Sequence, residues 1–334
     1  MTFYSPDGRV PLHPVALSEG AASLLPNQDR PAVVWRLMAD EQGRLASTEV
    51  FRGVVRSRAR LSYAQVQDEL DRADRGGAAD DMLLALREVG RLRQAQERLR
   101  GGIDLPVPEQ VVTNDAGSWR LSFRAPLAVE GWNAQVSLLT GMAAAELMLA
   151  GGVGILRTMP SPQEADLTRV RRTATALGLT WPADGSYADL IWSADPEQPA
   201  HLAFLSLATT LLRGAGYTAF EGALPDLTTH SAVAAPYAHV TAPLRRLVDR
   251  YTGETCVAIC AGVPVPEWVA QALPSLPSVM DEADRRAKKY ERGTIDLVEA
   301  MVLAPHLGQT FTGTVLEVDT EDDYGCLLYT SRCV

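Results

Sequence analysis

The sequence predicts an α+β fold in which mostly antiparallel strands are wrapped by helices. The first observation is an alternating apolar pattern between residues 32 and 62, interrupted by the turn sequence "DEQG". The second is a series of apolar segments of helical period, two of them stopped by paired glycines. The third is a return to a strand pattern, "GQTFTGTVLEVD", after Pro305.

The N-terminal third supplies loops, strands and then helices. Residues 4–14 are rich in proline and glycine and predict loop and turn structure. Residues 32–62 predict antiparallel strands. Helices are predicted over about 63–73 and 78–100, and the second is closed by two glycines at 101 and 102.

The middle of the chain is mainly helical. The segment "SWRLSFRAP" predicts a strand, and residues 130–152 predict a long, mostly buried helix stopped by paired glycines. Ser161 and Glu164 have the spacing of a capping box, with Pro162 at the first helical position.

The last third predicts three helices. One covers about 201–213, and a second has Thr241 or Ala242 as its cap, Pro243 in its first turn and its end near Ala261. The third covers about 278–303, with Ser278 and Asp281 as a cap-like pair. No internal repeat or low-complexity linker is found.

Composition limits the function classes. The 334 residues carry a net charge of −10, with 46% apolar and 22% charged residues. This mix is typical of a soluble globular protein, and the acidic balance argues against a basic nucleic-acid coat. A locally basic groove remains compatible with this charge. The N-terminus lacks the pattern of a signal peptide, and no apolar run is expected to span a bilayer. The cysteines form no metal or disulfide spacing, so we predict a cytoplasmic protein.

The C-terminal stretch "CLLYTSRCV" departs abruptly from the pattern before it. One back-translation of these residues contains a perfect inverted repeat that resembles a transposon end. We therefore predict that residues 326–334 are non-native; the alternative is an ordinary disordered C-terminus.

Two adjacent arginines in "YAHVTAPLRRLVDR" are the strongest sign of a site. A helix that begins at Pro243 would direct free N–H groups, and the planar fork of Arg245, at an anion such as a phosphate. Asp249, four residues on, would orient that guanidinium. The alternative that spacing alone favours is a salt-bridged, solvated helix face.

The same stretch resembles the signature of the RNB family of exoribonucleases, close to H-[FY]-T-S-P-[IL]-R-R-Y-x-D. Seven positions match, and Val240, Ala242 and Leu247 depart from it. Further segments also resemble the family: "YSPDGRVPLHP", "RARLSYAQV" and "KKYERGTIDLVEA". The resemblance covers about residues 2–303. It implies the family's barrel-like architecture, a mostly antiparallel sheet wrapped by helices around an RNA channel.

The resemblance implies a 3′-to-5′ exoribonuclease that hydrolyses single-stranded RNA to nucleoside 5′-monophosphates with Mg²⁺ ions. By resemblance, three residues have catalytic roles. Arg245 holds the scissile-end phosphate, Tyr63 positions the 3′-terminal nucleotide, and Glu291 supports its sugar or base. If the resemblance is set aside, the sequence favours a structural interpretation of both residues: Tyr63 as a buried aromatic and Glu291 as a solvated acid on a helix.

Five more residues are expected to contact RNA. Tyr4 would stack on a terminal base, and Arg246 and His239 would contact backbone phosphates. Glu130 lies close to the position of a glutamate in the family's sequences, but the residues around it differ from the family's pattern. Arg58 would line the RNA channel from one strand face, unless that face is a solvated edge.

The aspartate cluster "DP…D-x-D-D" that holds the metal in the family is not found in this sequence. We therefore expect a fragment: a truncated RNB catalytic domain over 1–303 without metal ligands, the start of an OB-fold RNA-binding domain over 304–325, and the tail. Such a chain is expected to be an inactive monomer that contacts single-stranded RNA and no membrane. One alternative is a non-catalytic RNA-binding protein. Another is an enzyme that uses "AGGVG" as a phosphate loop, although this glycine run follows a predicted helix and not the strand that such a loop requires.

Overall fold

The fold combines helices with short antiparallel strand pairs. The computed structural model describes residues 1–5, 8–105, 109–115, 118–182 and 185–310. Its strands are β1 (Phe3–Ser5), β2 (Gly8–Val10), β3 (Asp29–Ala39), β4 (Leu45–Arg56), β5 (Glu109–Asp115), β6 (Ser118–Arg124), β7 (Val153–Thr158), β8 (Gly216–Glu221), β9 (Thr229–His230) and β10 (Ala235–Pro236).

Every strand in these ranges pairs antiparallel with one other strand: β1 with β2, β3 with β4, β5 with β6, β7 with β8 and β9 with β10. The predicted α+β class is therefore confirmed. The single wrapped sheet and the barrel are wrong for the described residues, because five two-stranded ribbons take their place. Residues 311–334, which include most of the predicted OB-fold strand and the whole tail, lie outside the described residues.

Helices form most of the remaining structure. They are α1 (Tyr63–Asp74), α2 (Asp81–Leu99), α3 (Ala128–Gly151), α4 (Glu164–Ala176), α5 (Tyr187–Ser193), α6 (Pro199–Ala208), α7 (Leu247–Ala261), α8 (Glu267–Ala272) and α9 (Leu276–Leu303). A six-residue π-helical segment, Ala16–Ala21, follows the first hairpin.

Three predicted helix starts are displaced. At α4 the N-cap is Gln163 and makes no side-chain cap bond, so the capping box of Ser161 and Glu164 is not formed. At α9 the helix already begins at Leu276, which places Ser278 inside its first turn. The start of α7 is the third case, and it decides the geometry of the candidate site described below.

The β3–β4 hairpin confirms the strongest strand prediction. Its register runs from Asp29 opposite Arg56 to the tip, where Asp40 Oδ1 accepts hydrogen bonds from the N–H groups of Gln42 (3.0 Å) and Arg44 (2.8 Å). Gly43 has a φ of 76°, a conformation that glycine adopts without steric cost.

Helix α3 is the centre of the core. It ends at Gly152, whose φ of 69° gives the left-handed cap expected of the glycine pair. By length and composition it could cross a membrane, contrary to the expectation that no apolar run would be long enough. In the fold, its buried Ala144 and Met148 share a cluster with Leu156 of β7 and Cys256 of α7. This packing is what a core helix requires.

Candidate functional site

The segment before α7 is a turn rather than a helix start. The N–H groups of Arg245 and Arg246 both donate to the Ala242 carbonyl oxygen, at 3.1 and 2.9 Å. Arg246 is extended (φ −127°, ψ 127°), and α7 begins one residue later at Leu247. The prediction that Pro243 opens this helix is therefore wrong. Arg245 lies on the turn and does not share a helical first turn with Pro243.

A buried carboxylate holds this turn in place. Asp249 is 1% exposed, and its two oxygens accept hydrogen bonds from Arg246 Nε (2.9 Å) and Arg246 Nη2 (2.8 Å). Its Oδ1 also accepts from the Ala242 N–H at 2.6 Å. The predicted pairing of Arg245 with Asp249 is wrong, because the partner is Arg246. Together, the bidentate bond from Arg246 and the bond from Ala242 join both ends of the turn to Asp249 on α7.

Arg245 is consequently left available. Its residue is exposed, and within the described part of the chain its guanidinium forms no ion pair. Its carbonyl oxygen accepts a hydrogen bond from the Thr2 N–H at 3.1 Å, and His13 Nε2 lies 3.3 Å from the Pro243 carbonyl oxygen. The backbone is thus fixed on both sides while the cation projects from it.

The N-terminal strand brings two more predicted residues into this region. Tyr4 is 55% exposed and lies two residues from the Thr2 bond to Arg245. Its neighbour Phe3 alternates to the other side of β1 and makes an edge-on contact with Tyr290 of α9, with ring centroids 6.1 Å apart. The exposed Glu291 follows directly on α9. Strand β1 therefore links Tyr4, Arg245 and the Glu291 region.

His239 lies in a half-buried aromatic cluster beside the turn. Its Nδ1 is 2.7 Å from the Tyr217 hydroxyl oxygen, and its ring meets the Tyr237 ring at a centroid distance of 5.6 Å. Tyr237 also contacts His230, and the Arg157 guanidinium stacks 4.6 Å from the Tyr217 ring centroid. In this structure the His239 ring contacts two tyrosines. Its predicted contact with a backbone phosphate stays a prediction.

Burial sets the protonation of this cluster. Burial, followed by the positive charge of Arg246, lowers the pKa of His239 to about 2. Burial also lowers the pKa of His230 to about 4 and raises the pKa of Tyr217 to about 12. The charged forms are disfavoured because they would lose solvation. Both histidines are thus neutral at pH 7.

We predict that the protein loses stability between pH 6.5 and pH 4. A histidine pKa that folding lowers makes a contribution that is complete above the unfolded pKa of about 6.5 and is lost as the pH falls toward the folded pKa. At pH 5 the free energy of unfolding should be about 2 kcal/mol lower per histidine.

Chemical denaturation at pH 7.5 and pH 5 measures this loss for the natural chain and for His239→Gln. The substitution should reduce the pH dependence, because it removes one of the two titrating rings. The same dependence in both proteins would show that His239 does not titrate on unfolding.

A second group of predicted residues lies where α1 and α3 begin. The Tyr63 hydroxyl accepts a hydrogen bond from Asn133 Nδ2 at 3.0 Å, and Tyr63 is 45% exposed. Glu130 accepts from the Leu127 N–H (3.0 Å) and from Arg124 Nη2 (3.2 Å), and Arg124 lowers the pKa of this carboxyl. Glu130 therefore caps α3 in a salt bridge.

The two groups are separated along α3. Gly141 accepts a hydrogen bond from the Ala238 N–H at 3.0 Å, beside the aromatic cluster. Glu130 lies about 16 Å farther along the helix axis, at 1.5 Å per residue. Arg58 is exposed beyond the end of β4 at Arg56, so the predicted strand face that it would share does not form. The structure thus joins the segment of Tyr4 to that of Arg245 through Thr2, and the start of α1 at Tyr63 to α3, which carries Glu130, through Asn133.

Residues 1–257 match the RNB domain. The chain belongs to the RNB family. A relative, the exosome complex exonuclease RRP44 homolog A of Arabidopsis thaliana, is 28% identical over 90% of this chain and 33% of its own length. Ribonuclease R of Mycoplasma genitalium is 24% identical over 92% of this chain and 44% of its own length. The chain thus spans less than half the length of these curated relatives.

Solved structures share this RNB fold. Mycoplasma genitalium RNase R in complex with ribose-methylated single-stranded RNA has a TM-score of 0.82 and 22% identity, over 95% of this chain and 51% of that chain. Yeast Ssd1, described as a pseudonuclease, has a TM-score of 0.71 and 18% identity, over 90% of this chain and 38% of that chain. At these identities the likeness concerns the fold.

The RNB domain described here offers no metal-binding cluster. Within the described ranges, no group of three or more His, Cys, Asp or Glu side chains lies close enough together to hold a metal ion. The expected Mg²⁺ therefore has no assigned ligands among the described residues, and its binding stays a prediction.

The sequence analysis did not single out several residues that the structure places in the candidate site. Asn133, Arg157 and Tyr217 stand outside the motifs used above, and Tyr237 stood inside one without being chosen. The pairing of β7 with β8 places Arg157 opposite Tyr217, sixty residues away in the chain. Only the Tyr237–His239 spacing, which puts two rings on one side of an extended segment, could have been found locally.

Proposed function

We propose that this chain forms the RNA-holding part of an exoribonuclease that degrades single-stranded RNA from its 3′ end to nucleoside 5′-monophosphates. The proposal is supported by membership of the RNB family and by relatives described as an exonuclease and as Ribonuclease R. The observation that carries it is the exposed Arg245 on a turn locked by Asp249 and bonded through its backbone to Thr2, two residues before the exposed Tyr4.

Arg245 and Tyr4 have complementary chemistry for a strand end. A guanidinium binds two phosphate oxygens in one plane, and its charge offsets the charge that develops during hydrolysis. An exposed tyrosine stacks on any base, with about 1–3 kcal/mol per base. The rigid turn keeps the phosphate contact in one place, so that the cation is oriented before RNA binds.

The second group suits a sugar or base. The Tyr63 hydroxyl and the Asn133 amide can exchange hydrogen bonds with a nucleotide, and Tyr63 forms one wall of a surface cavity with Arg60 and Gln65. Glu291 is the further candidate for support of the 3′ nucleotide. Mg²⁺, a cytoplasmic location and a monomeric state belong to the same proposal.

Replacing Arg245 with Ala should weaken binding of a single-stranded oligoribonucleotide about tenfold, because one charge-assisted bond to phosphate is lost. Fluorescence anisotropy of a 5′-labelled oligonucleotide measures this. Arg172→Ala is the matched control, since Arg172 is also an exposed arginine and lies on α4. Equal affinities for natural chain, variant and control would remove Arg245 from the RNA site.

A second candidate function is RNA binding without catalysis. It is favoured by the structural likeness to a protein described as a pseudonuclease. Incubation of the full chain with 5′-labelled RNA and Mg²⁺ tests this second candidate. Shortening from the 3′ end would exclude it, whereas intact RNA that still binds through Arg245 is the result expected of it.

A further inference from the structure

A cavity of about 430 Å³ lies between α2, α3 and the tip of the β3–β4 hairpin. Three arginines line it: Arg44 from the hairpin tip, Arg93 from α2, and Arg100, which is the C-cap of α2. Arg93 and Arg100 are seven residues apart, which is about two helical turns, so they project from the same side of α2. The cavity is therefore a site where three cations converge.

Two of these arginines have unused hydrogen-bond donors. Arg93 is 3% exposed; its Nη1 donates to the Gly43 carbonyl oxygen at 2.7 Å, but its Nε has no partner among the described residues. Arg100 Nε donates to the Val233 carbonyl oxygen at 2.7 Å, and both its Nη atoms lack a hydrogen-bond partner in the described ranges. Buried donors of charged groups cost free energy when they are left unpaired.

Nearby carboxylates offset these charges in part. Glu97 is buried, receives a hydrogen bond from Gln135 at 2.8 Å, and lies 3.7 Å from Arg100 Nη2. Asp40 pairs with Arg44 at 2.8 Å, and Glu146 lies in the cavity wall. Burial, followed by the charge of Arg100, lowers the pKa of Arg93, so both the burial and the neighbouring cation act against its charged form. An added anion would offset the repulsion between the two cations.

The rest of the cavity wall is apolar. Leu45, Leu139 and Met142 line it, beside the guanidinium groups. A volume of about 430 Å³ lies in the range of small-molecule sites, about 300–1,000 Å³. The cavity thus combines guanidinium groups, whose unpaired donors lie buried in its wall, with an apolar wall for a flat or hydrophobic group.

We propose that this cavity binds a small phosphate ester of nucleoside-monophosphate size, with its phosphate on Arg93, Arg100 and Arg44 and its base against Leu45, Leu139 and Met142. The planar guanidinium matches phosphate oxygens, and three of them supply the donors that a dianion can accept. The site does not require that the chain degrades RNA, since its ligand is recognised by phosphate and an apolar group.

The cavity faces away from the residues proposed to hold RNA. On α3, Leu139 and Met142 are turned by roughly 100–180° from Gly141 and Glu130, at about 100° per residue. A mononucleotide in the cavity would therefore bind at a place separate from Arg245, on the other side of α3.

Calorimetric titration of the full chain with adenosine 5′-monophosphate, inorganic phosphate and adenosine tests the site. The monophosphate should bind more tightly than either part alone. Arg100→Gln should weaken that binding about tenfold or more, and Arg44→Gln about threefold, through loss of charge-assisted bonds. Arg44 is largely exposed, so its variant is expected to fold even if the buried Arg100 variant does not.

Two further variants complete the test. Arg36→Gln, on the same hairpin but paired with Glu49 outside the cavity, should bind the monophosphate like the natural chain. Arg245→Ala should also retain cavity binding, which separates this site from the proposed RNA site. The proposal is overturned if the monophosphate does not bind, if adenosine binds equally well, or if only Arg245→Ala abolishes binding.

Discussion

Replacing Asp249 with Asn is expected to lower the free energy of unfolding by about 3–5 kcal/mol, as when one partner of a buried ion pair is removed. The carboxylate accepts three hydrogen bonds: two from Arg246 and one from the Ala242 N–H. An amide cannot accept all three, because one of its two polar atoms is a donor. The Arg246 guanidinium would then lie partly buried without a counter-charge.

The same substitution should weaken RNA binding at temperatures where the variant remains folded. The turn that carries Arg245 would lose its attachment to α7, so that the free cation is no longer oriented. Urea denaturation measures the loss of stability, and fluorescence anisotropy with an oligoribonucleotide measures the positioning effect. Arg246→Lys keeps the charge but loses the bidentate geometry, and should show both effects in weaker form.

Asp281→Asn is the matched control. Asp281 also pairs with an arginine on a helix, Arg285 at 3.1 Å, but both side chains are largely exposed. Its removal should change stability by less than about 0.5 kcal/mol. If Asp249→Asn were as mild as the control, the locked turn would not depend on this carboxylate.

Replacing Gly141 with Ala is expected to destabilise the fold by about 2 kcal/mol or more, from overpacking. A Cβ atom at this position would lie 2.2 Å from Tyr237 Cε2 and 2.6 Å from the Ala238 carbonyl oxygen. The backbone cannot easily move away, because the Ala238 N–H donates to the Gly141 carbonyl oxygen. The gain in helix propensity, about 1 kcal/mol, is smaller than this clash.

Gly253→Ala provides the comparison within another core helix. Gly253 lies in α7, and a Cβ there would meet no atom within 4 Å. Alanine should therefore stabilise the protein by up to about 1 kcal/mol. Thermal unfolding of both variants measures the contrast, and a Gly141→Ala protein as stable as Gly253→Ala would show that Tyr237 does not pack closely on α3.

The sequence by itself determined the elements whose signals are local. The β3–β4 hairpin follows from alternation and from the turn residues Asp40 and Gly43, which form their hydrogen bonds within five residues. Helix α3 follows from an apolar run that ends at two glycines. The motif around Arg245 was sufficient to indicate the family, and the domain match agrees with it.

Tertiary structure alone decided which arginine is paired. Spacing placed Arg245 and Arg246 equally well for Asp249, and the start of α7 at Leu247 turned Arg246 inward and left Arg245 outside. That start depends on the bond from the Ala242 N–H to the Asp249 carboxylate, and on the attachment of Thr2 to Arg245, a contact across more than 240 residues.

Contacts between distant segments also set the chemistry of the site. The neutral state of His239 arises from its burial beside Tyr217 and Tyr237, and the cavity of the three arginines arises where a hairpin tip meets α2 and α3. No local pattern encodes these, because burial and charge proximity depend on which segments pack together. The sequence therefore specified the parts and the family, whereas packing specified which side chains remain free to bind.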